Sequence, residues 1–380
     1  MRENQESITK FVTLLLDTYF IIIPTSLWSM KTTRTSSRKR QHVNITLAED
    51  VSFRFKSSGL DRWEFIHNAL PEMGLSEIDT STFFLGKPIA FPFIISSMTG
   101  GYAGAERINR QLAEICVEKK IALGVGSQRQ VLEDDRYLRS FSIVRSVAPS
   151  IPIFGNIGAT EIAKLKDASP VLRMIELIHA DGFAIHLNPL QEVLQTEGDK
   201  NFRGVLKGIE LLKKAVSIPL IVKEVGAGIS EHVARQLINI GITIIDVAGA
   251  GGTSWAGVEI LRKMKENKQR RSRHNEIFWD WGIPTGDAIR AVSKLKTTFQ
   301  GLQIIASGGI TNGLEIAKSI ALKSDYAAAA RPILKALVQG GVKAVINLVD
   351  EWDQELRYVM FLTGSRSLSE LQKQELVERV

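Results

Sequence analysis

Cysteine is nearly absent from this chain of 380 residues: Cys116 is the only one. No intrachain disulfide can form, and no multi-cysteine metal site. Such sparing use of thiols fits a reducing, cytoplasmic compartment. A glycine-rich G-x-G-x-x-G turn is missing after the first apolar run, which counts against a dinucleotide-binding, doubly wound sheet. Long hydrophobic runs are scarce too. The stretch 11–28 is rich in Leu and Ile but is broken by Asp17 and Pro24, and it falls short of the roughly 20 apolar residues that a spanning helix needs. It has no clearly basic start and no A-x-A cleavage site. Residues 1–30 therefore read as a disordered extension outside the fold, with Met30 as an alternative start and residues 1–29 dispensable. No membrane contact is expected.

The balance of charge is basic, +7 overall. Much of it sits in two clusters: Lys31, Arg34, Arg38, Lys39 and Arg40, and later Lys268, Arg270, Arg271 and Arg273. Neither is interleaved with aromatics, so no nucleic acid is expected. A phosphorylated small substrate accounts for a basic rim equally well. With 44% hydrophobic and 23% charged residues, the composition is that of a folded globular chain.

What is present is a rhythm. Eight short apolar runs, at 91–96, 121–125, 151–155, 182–187, 220–223, 242–247, 303–306 and 325–329, alternate with segments of helical periodicity such as 107–119, 202–216, 231–240 and 313–322. Eight strand–helix repeats predict a parallel α/β sheet closed as a (β/α)8 TIM barrel. The barrel spans 91–350. Before it comes 31–90, a mobile basic arm (31–42) followed by a cap. After it, 351–380 reads as a helical tail packed on the outside of the barrel. The segment 253–281 is too long for an ordinary loop and reads as a lid or subunit contact on the catalytic face.

Ligands of such barrels bind beyond the carboxyl ends of the strands. The fourth run ends in His186-Leu187-Asn188-Pro189-Leu190-Gln191-Glu192, a crowd of polar groups. Glu192 offers oxygen to a divalent cation that would keep waters and share substrate phosphates. Lys223 ends the fifth run, where an ammonium is costly without an anion beside it. A phosphate, a carboxylate or an anionic flavin would each serve. Arg129, at the second, suits an anionic substrate. Ser307-Gly308-Gly309 and Ala329-Ala330-Arg331, at the seventh and eighth, lie where such barrels bind phosphate. Ser97, Met98 and Thr99, then Asn156, then Thr253, fall at other strand ends.

Together, Arg38-Lys39 with His42, Ser97-Met98-Thr99-Gly100-Gly101, Gly126-Ser127-Gln128-Arg129, the 186–192 element, Gly251-Gly252-Thr253-Ser254-Trp255 and Ser307-Gly308-Gly309-Ile310 resemble the type 2, FMN-dependent isopentenyl diphosphate isomerases from about residue 38 to 362. The resemblance implies interconversion of isopentenyl and dimethylallyl diphosphate, with reduced FMN, Mg²⁺, NADPH as flavin reductant and a homo-oligomer, tetramer or octamer. It implies flavin contacts at Ser97, Met98, Thr99, Ser127, Asn156, Lys223 and Thr253, with the FMN phosphate at Gly308, Gly309, Ala329 and Ala330. Substrate contacts fall on Arg38, Lys39, Ser127, Arg129, His186 and Gln191, catalysis on Gln191, His186 and Lys223, and Mg²⁺ on Glu192. Ala328 stands where related barrels usually have Gly, and a positive φ there would weaken FMN binding. Two rival flavin or nucleotide barrels fit less well. A 2-hydroxy-acid oxidase would carry His-x-x-Arg near the seventh run, but here that spacing occurs only at His232–Arg235, within a helical segment. An inosine monophosphate dehydrogenase would need a loop Cys, and Cys116 lies in a helical pattern.

Overall fold

The computed structural model describes residues 34–267 and 273–379. The expected extension 1–30 and the basic residues Lys268, Arg270 and Arg271 lie outside them.

Three short strands precede the main sheet: β1 (Trp63–Phe65), β2 (Thr82–Phe84) and β3 (Lys87–Ile89). The barrel follows as β4 (Phe93–Ile95), β5 (Ala122–Gly124), β6 (Ile153–Gly158), β7 (Gly182–His186), β8 (Leu220–Lys223), β9 (Ile244–Asp246), β10 (Gln303–Ser307) and β11 (Tyr326–Ala329). β12 (Leu376–Glu378) ends the chain. The eight central strands are parallel and closed, with β11 pairing β4. All eight runs expected to be strands are strands.

Residue choice along each strand explains the closure. Ile94, Ala122, Phe154, Ala184, Ile221, Ile244, Ile305 and Ala328 fill the interior, large beside small. Their neighbours in sequence, such as Phe93, Leu123, Phe183, Val222 and Ala327, face the surrounding helices. Strands buried on both faces need this unbroken apolar character. Ala328 is therefore a core residue in extended backbone, and it is not among the positive-φ positions. The expected penalty does not arise. β2 and β3 form a hairpin through Leu85 and Gly86, both at positive φ, as a two-residue turn requires. Phe84 and Ile89 plug the floor of the barrel.

The main helices are α1 (Arg34–Ala48), α2 (Ala105–Lys119), α3 (Arg139–Val147), α4 (Ser169–Leu177), α5 (Pro189–Leu194), α6 (Val205–Ala215), α7 (Glu231–Asn239), α8 (Trp255–Asn267), α9 (Thr285–Ser293), α10 (Gly313–Ala321) and α11 (Arg331–Thr363). Two departures from the sequence reading matter. From Arg34 on, the polar segment expected to be a mobile arm is helical: α1 lies against α8 and α11, with Ile45 packed on Val51 and Val258. And α11 runs across position 350, where tail was divided from barrel. It turns at Gly341 (φ 71) and stops at Gly364 (φ 71). The chain then returns to pair β12 with β1, antiparallel, so the tail is not helical throughout. By length and composition α11 could pass for a membrane span, but Ile333, Leu337, Val345, Val349, Trp352 and Met360 are buried in the protein core.

The described part of 253–281 contains the helix α8, which lies over α5 and α1, and α9 then takes the sixth outer position beside β10. Trp279 anchors its return, donating from Nε1 to Ser52 O at 2.8 Å and accepting from Ser254 Oγ at 2.6 Å.

Candidate active site

A cavity of about 540 Å³ opens at the carboxyl ends of the strands, within the size range of small-molecule sites. Every residue assigned a role from the sequence lines it: Arg38, Lys39, Ser97, Met98, Thr99, Ser127, Arg129, Asn156, His186, Gln191, Glu192, Lys223, Thr253, Gly308, Gly309, Ala329 and Ala330.

The parallel register lines up the charged floor. His186 sits beside Lys223, and Lys223 beside Asp246. Lys223 Nζ donates to Glu224 O at 2.5 Å and lies 3.8 Å from Asp246 Oδ2. Of the anions that could offset its burial, a carboxylate is thus built in. Asp246 was not singled out from the sequence, although an acid closing a buried run was a signal in plain view. Its carboxylate also accepts from Ser307 Oγ at 2.6 Å, joining β9 to the phosphate loop, while burial pushes its pKa up. Glu224 locks the next loop, accepting from the amides of Val225 and Gly226 at 2.6 and 2.7 Å.

On the β7 wall, His186 Nδ1 is 2.8 Å from Asn156 Oδ1. Burial, then the charges of Lys223, Lys39 and Arg38, brings the His186 pKa down to about 3. At neutral pH the ring is uncharged and, facing an amide oxygen, carries its proton on Nδ1. Asn188 starts α5 and donates to Gln191 Oε1 and Glu192 Oε1, both at 3.1 Å. Glu192 Oε2 accepts from Asp199 N at 2.7 Å. Gln191 Nε2 donates to Glu259 Oε1 at 3.2 Å.

Glu259 is the chief residue that the sequence did not reveal. It lies on α8 with its side chain fully buried, 2.9 Å from both His42 Nε2 and Arg262 Nε. Burial alone would raise its pKa, but His42 and Arg262 outweigh that and hold it near 2. No local pattern marks a glutamate in a charge-rich helix as buried.

The arm helix supplies the cations. Lys39 Nζ donates to Gly100 O at 2.9 Å and Ser127 O at 2.5 Å. Burial, with Arg38 beside it, lowers its pKa to about 7. Arg38 reaches within 3.9 Å of Glu197, and burial lowers its pKa as well. Arg129 pairs with Glu161 at 3.2 Å and Glu133 at 3.5 Å, so its guanidinium is partly committed within the protein. Thr99 is committed too: its hydroxyl donates to Asn109 Oδ1 at 2.6 Å.

Several features fit a flavin mononucleotide. Ser97 Oγ is buried without a partner. Gly308 and Gly309, at φ 100 and 82, expose backbone at the end of β10. Ala330, at the start of α11, makes no side-chain cap to that helix, and an uncapped helix start can take a phosphate. The fit to Mg²⁺ is narrower. Among the described residues no three His, Cys, Asp or Glu cluster to hold a metal. Glu192 and the unpartnered Asn188 Oδ1 could supply two oxygens, leaving the remaining positions to water and substrate.

A closed parallel barrel with Gly308-Gly309 after its seventh strand, an uncapped helix start after its eighth and a lysine ending the fifth is a flavin-binding (β/α)8 barrel. Residues 32–134 and 186–378 match the family described as FMN-dependent dehydrogenase. Among curated proteins, the isopentenyl-diphosphate delta-isomerase of Pelodictyon phaeoclathratiforme is 46% identical over 352 residues, 91% of this chain and 98% of that one. That of Chlorobium luteolum is 48% identical over 347 residues, 90% of this chain and 95% of the other. Mandelate oxidase with (S)-2-phenylpropionate superposes with a TM-score of 0.63 at 14% identity, covering 92% of this chain and all of that one. A flavocytochrome b2 mutant superposes at 0.65 and 17%, covering 88% and 82%. At such identities these two share the fold alone. The chain belongs to the isopentenyl-diphosphate delta-isomerase family, within the FMN-dependent dehydrogenase class of barrels.

Proposed function

We propose that this chain interconverts isopentenyl diphosphate and dimethylallyl diphosphate, using reduced FMN and Mg²⁺. The observation that carries the reading is that the 186–192 wall, the cationic arm and the phosphate loops share one cavity. The reaction adds a proton at the terminal alkene carbon and removes another from the carbon two bonds away. An unactivated alkene is a poor base, so the acid must be strong or closely placed in a dry site.

Neither His186 nor Gln191 supplies that acid. His186 stays neutral, its pKa near 3, and the Gln191 amide does not ionise. Bound reduced FMN supplies proton-transfer chemistry near its N5. The chain's own groups then have distinct tasks. Lys223, lining the cavity at the end of β8, would contact the flavin and favour its anionic reduced form. Arg38 and Lys39 bind the diphosphate, and Arg129 adds charge at the rim. Gln191, aimed by Glu259 and Asn188, and neutral His186 orient the isoprenyl carbons. Ser97, Met98, Thr99, Ser127, Asn156 and Thr253 hold the flavin. NADPH is the proposed reductant. A homo-oligomer is proposed too: Phe55, 94% exposed, is tied by its amide to Asp280, next in sequence to the exposed Trp281, and exposed aromatics are candidates for a subunit contact.

Substrate and product share one oxidation level, so reductant should only prime the flavin. After a single anaerobic reduction, many turnovers should follow, and solvent deuterium should enter the product. A product-to-reductant ratio fixed near one would replace this reading with net redox chemistry. Glu192→Gln should stay yellow but lose Mg²⁺ dependence and roughly 10- to 100-fold in kcat/KM, as changes at metal sites commonly do. A colourless variant would show that Glu192 serves the flavin.

A further inference from the structure

Arg331 follows the Ala329-Ala330 turn and is the first residue of α11. An arginine there would be an obvious phosphate ligand. Arg331 lines the cavity, yet three of its five donors, one on each nitrogen, are engaged elsewhere. Nε donates to Thr46 O at 3.1 Å, Nη2 to Glu49 O at 3.0 Å and Nη1 to Ser52 Oγ at 2.9 Å. Thr46 lies in the last turn of α1, and Glu49 follows directly after it. The guanidinium thus caps the arm helix.

That end needs a cap. The last carbonyls of a helix have no partners within it and carry partial negative charge. α1 has no basic residue in its last turn, so the cation comes from another element. Other anchors of α1 lie further toward its start: Thr35 Oγ1 to Glu133 Oε1 at 2.6 Å, Ser36 Oγ to Gly101 O at 2.8 Å, Lys39 to Gly100 O and Ser127 O, and His42 to Glu259, with Ile45 in a small apolar contact.

We propose that Arg331 is a positioning residue that clasps the arm helix to the phosphate end of α11, coupling flavin occupancy to the docking of Arg38 and Lys39. A phosphate on the first amides of α11 would order the turn that carries Arg331. That residue grips α1, so ordering one end lowers the entropic cost of ordering the other. The coupling is reciprocal by thermodynamic necessity. Its effect on substrate, though not the clasp itself, rests on reading α1 as the diphosphate-binding arm.

The experiment compares amide hydrogen exchange across residues 34–48 in the full chain, with and without FMN, for wild type, Arg331→Gln and Ser52→Ala. In wild type, FMN should slow exchange in α1. In Arg331→Gln the holoenzyme should exchange there about tenfold faster, roughly the net worth of one charged hydrogen bond. The FMN effect on α1 should vanish, and KM should rise with kcat little changed. Ser52→Ala, which removes a single acceptor, should move the same way by less and covers the case in which Arg331→Gln does not fold. Unchanged exchange in α1 for both variants overturns the clasp. So does weakened FMN binding with α1 still protected, which would make Arg331 a phosphate ligand. Faster exchange with unaltered KM upholds the clasp and instead sinks the diphosphate reading of the arm.

Discussion

Alanine at both Arg38 and Lys39 should raise KM for isopentenyl diphosphate by about 100-fold or more, since hydrogen bonds to charged groups are each worth about 1.5–3 kcal/mol. FMN content should stay the same. Both side chains line the cavity from α1, outside the barrel. Their burial is unfavourable without an anion, and that is visible in Lys39, whose pKa falls to about 7. A diphosphate would restore its charge. The pH dependence follows in sign. Below pH 7 the free enzyme carries the Lys39 ammonium and binds the substrate well. Above it the amine is neutral, so kcat/KM, which reports free-enzyme ionisations, should fall as pH rises through 7. Lys39→Arg keeps its charge and should lose that limb. Steady-state kinetics from pH 6 to about 9, the range that brackets this pKa, checks both points. Unaltered KM in the double variant would remove the arm from substrate binding.

Gly308→Ala should yield a protein that binds FMN at least about 100-fold more weakly, the equivalent of roughly 3 kcal/mol. Gly308 sits at φ 100, and a Cβ there would fall 2.1 Å from the carbonyl oxygen of Gly249. That contact is backbone on backbone, so no side-chain rotation relieves it. The loops after β9 and β10 would have to part, although Thr285 Oγ1 donates to Gly308 O at 2.5 Å and holds them together. Gly86→Ala is the control. Gly86 also has positive φ (78), but a Cβ there meets nothing within 4 Å, and it lies on the floor hairpin. It should keep its flavin. The ratio of flavin to protein absorbance, followed by a fluorescence titration, separates the two. A folded Gly308→Ala enzyme that retains tight FMN would move the phosphate site elsewhere.

The barrel was legible because its signals are local. Runs such as Leu220-Ile221-Val222-Lys223 show their buried faces in residue type alone, and all eight were found with strand ends displaced by at most three residues. The polar groups after β7, and the glycines after β10, were legible for the same reason: each departs from the apolar run just before it. Their sharing of one cavity follows from parallel strands ending on one side.

The rest depended on partners distant in the chain. The arm reads as a solvated polar segment, yet it is a helix because α8, α11 and the Arg331 guanidinium engage it. Glu259 reads as surface charge, yet it is buried because His42 of α1 and Gln191 of α5 reach it from far along the chain, beside Arg262 of its own helix. Lys223 announced the need for an anion but not which one, and Asp246 was settled by the β8–β9 register. Sequence alone determined which face of each strand is apolar and where polar groups interrupt it, because hydrophobic periodicity is written in neighbouring residues. The tertiary structure alone decided how the buried charges are satisfied, because a desolvated charge takes whichever counter-charge the closed barrel brings within reach.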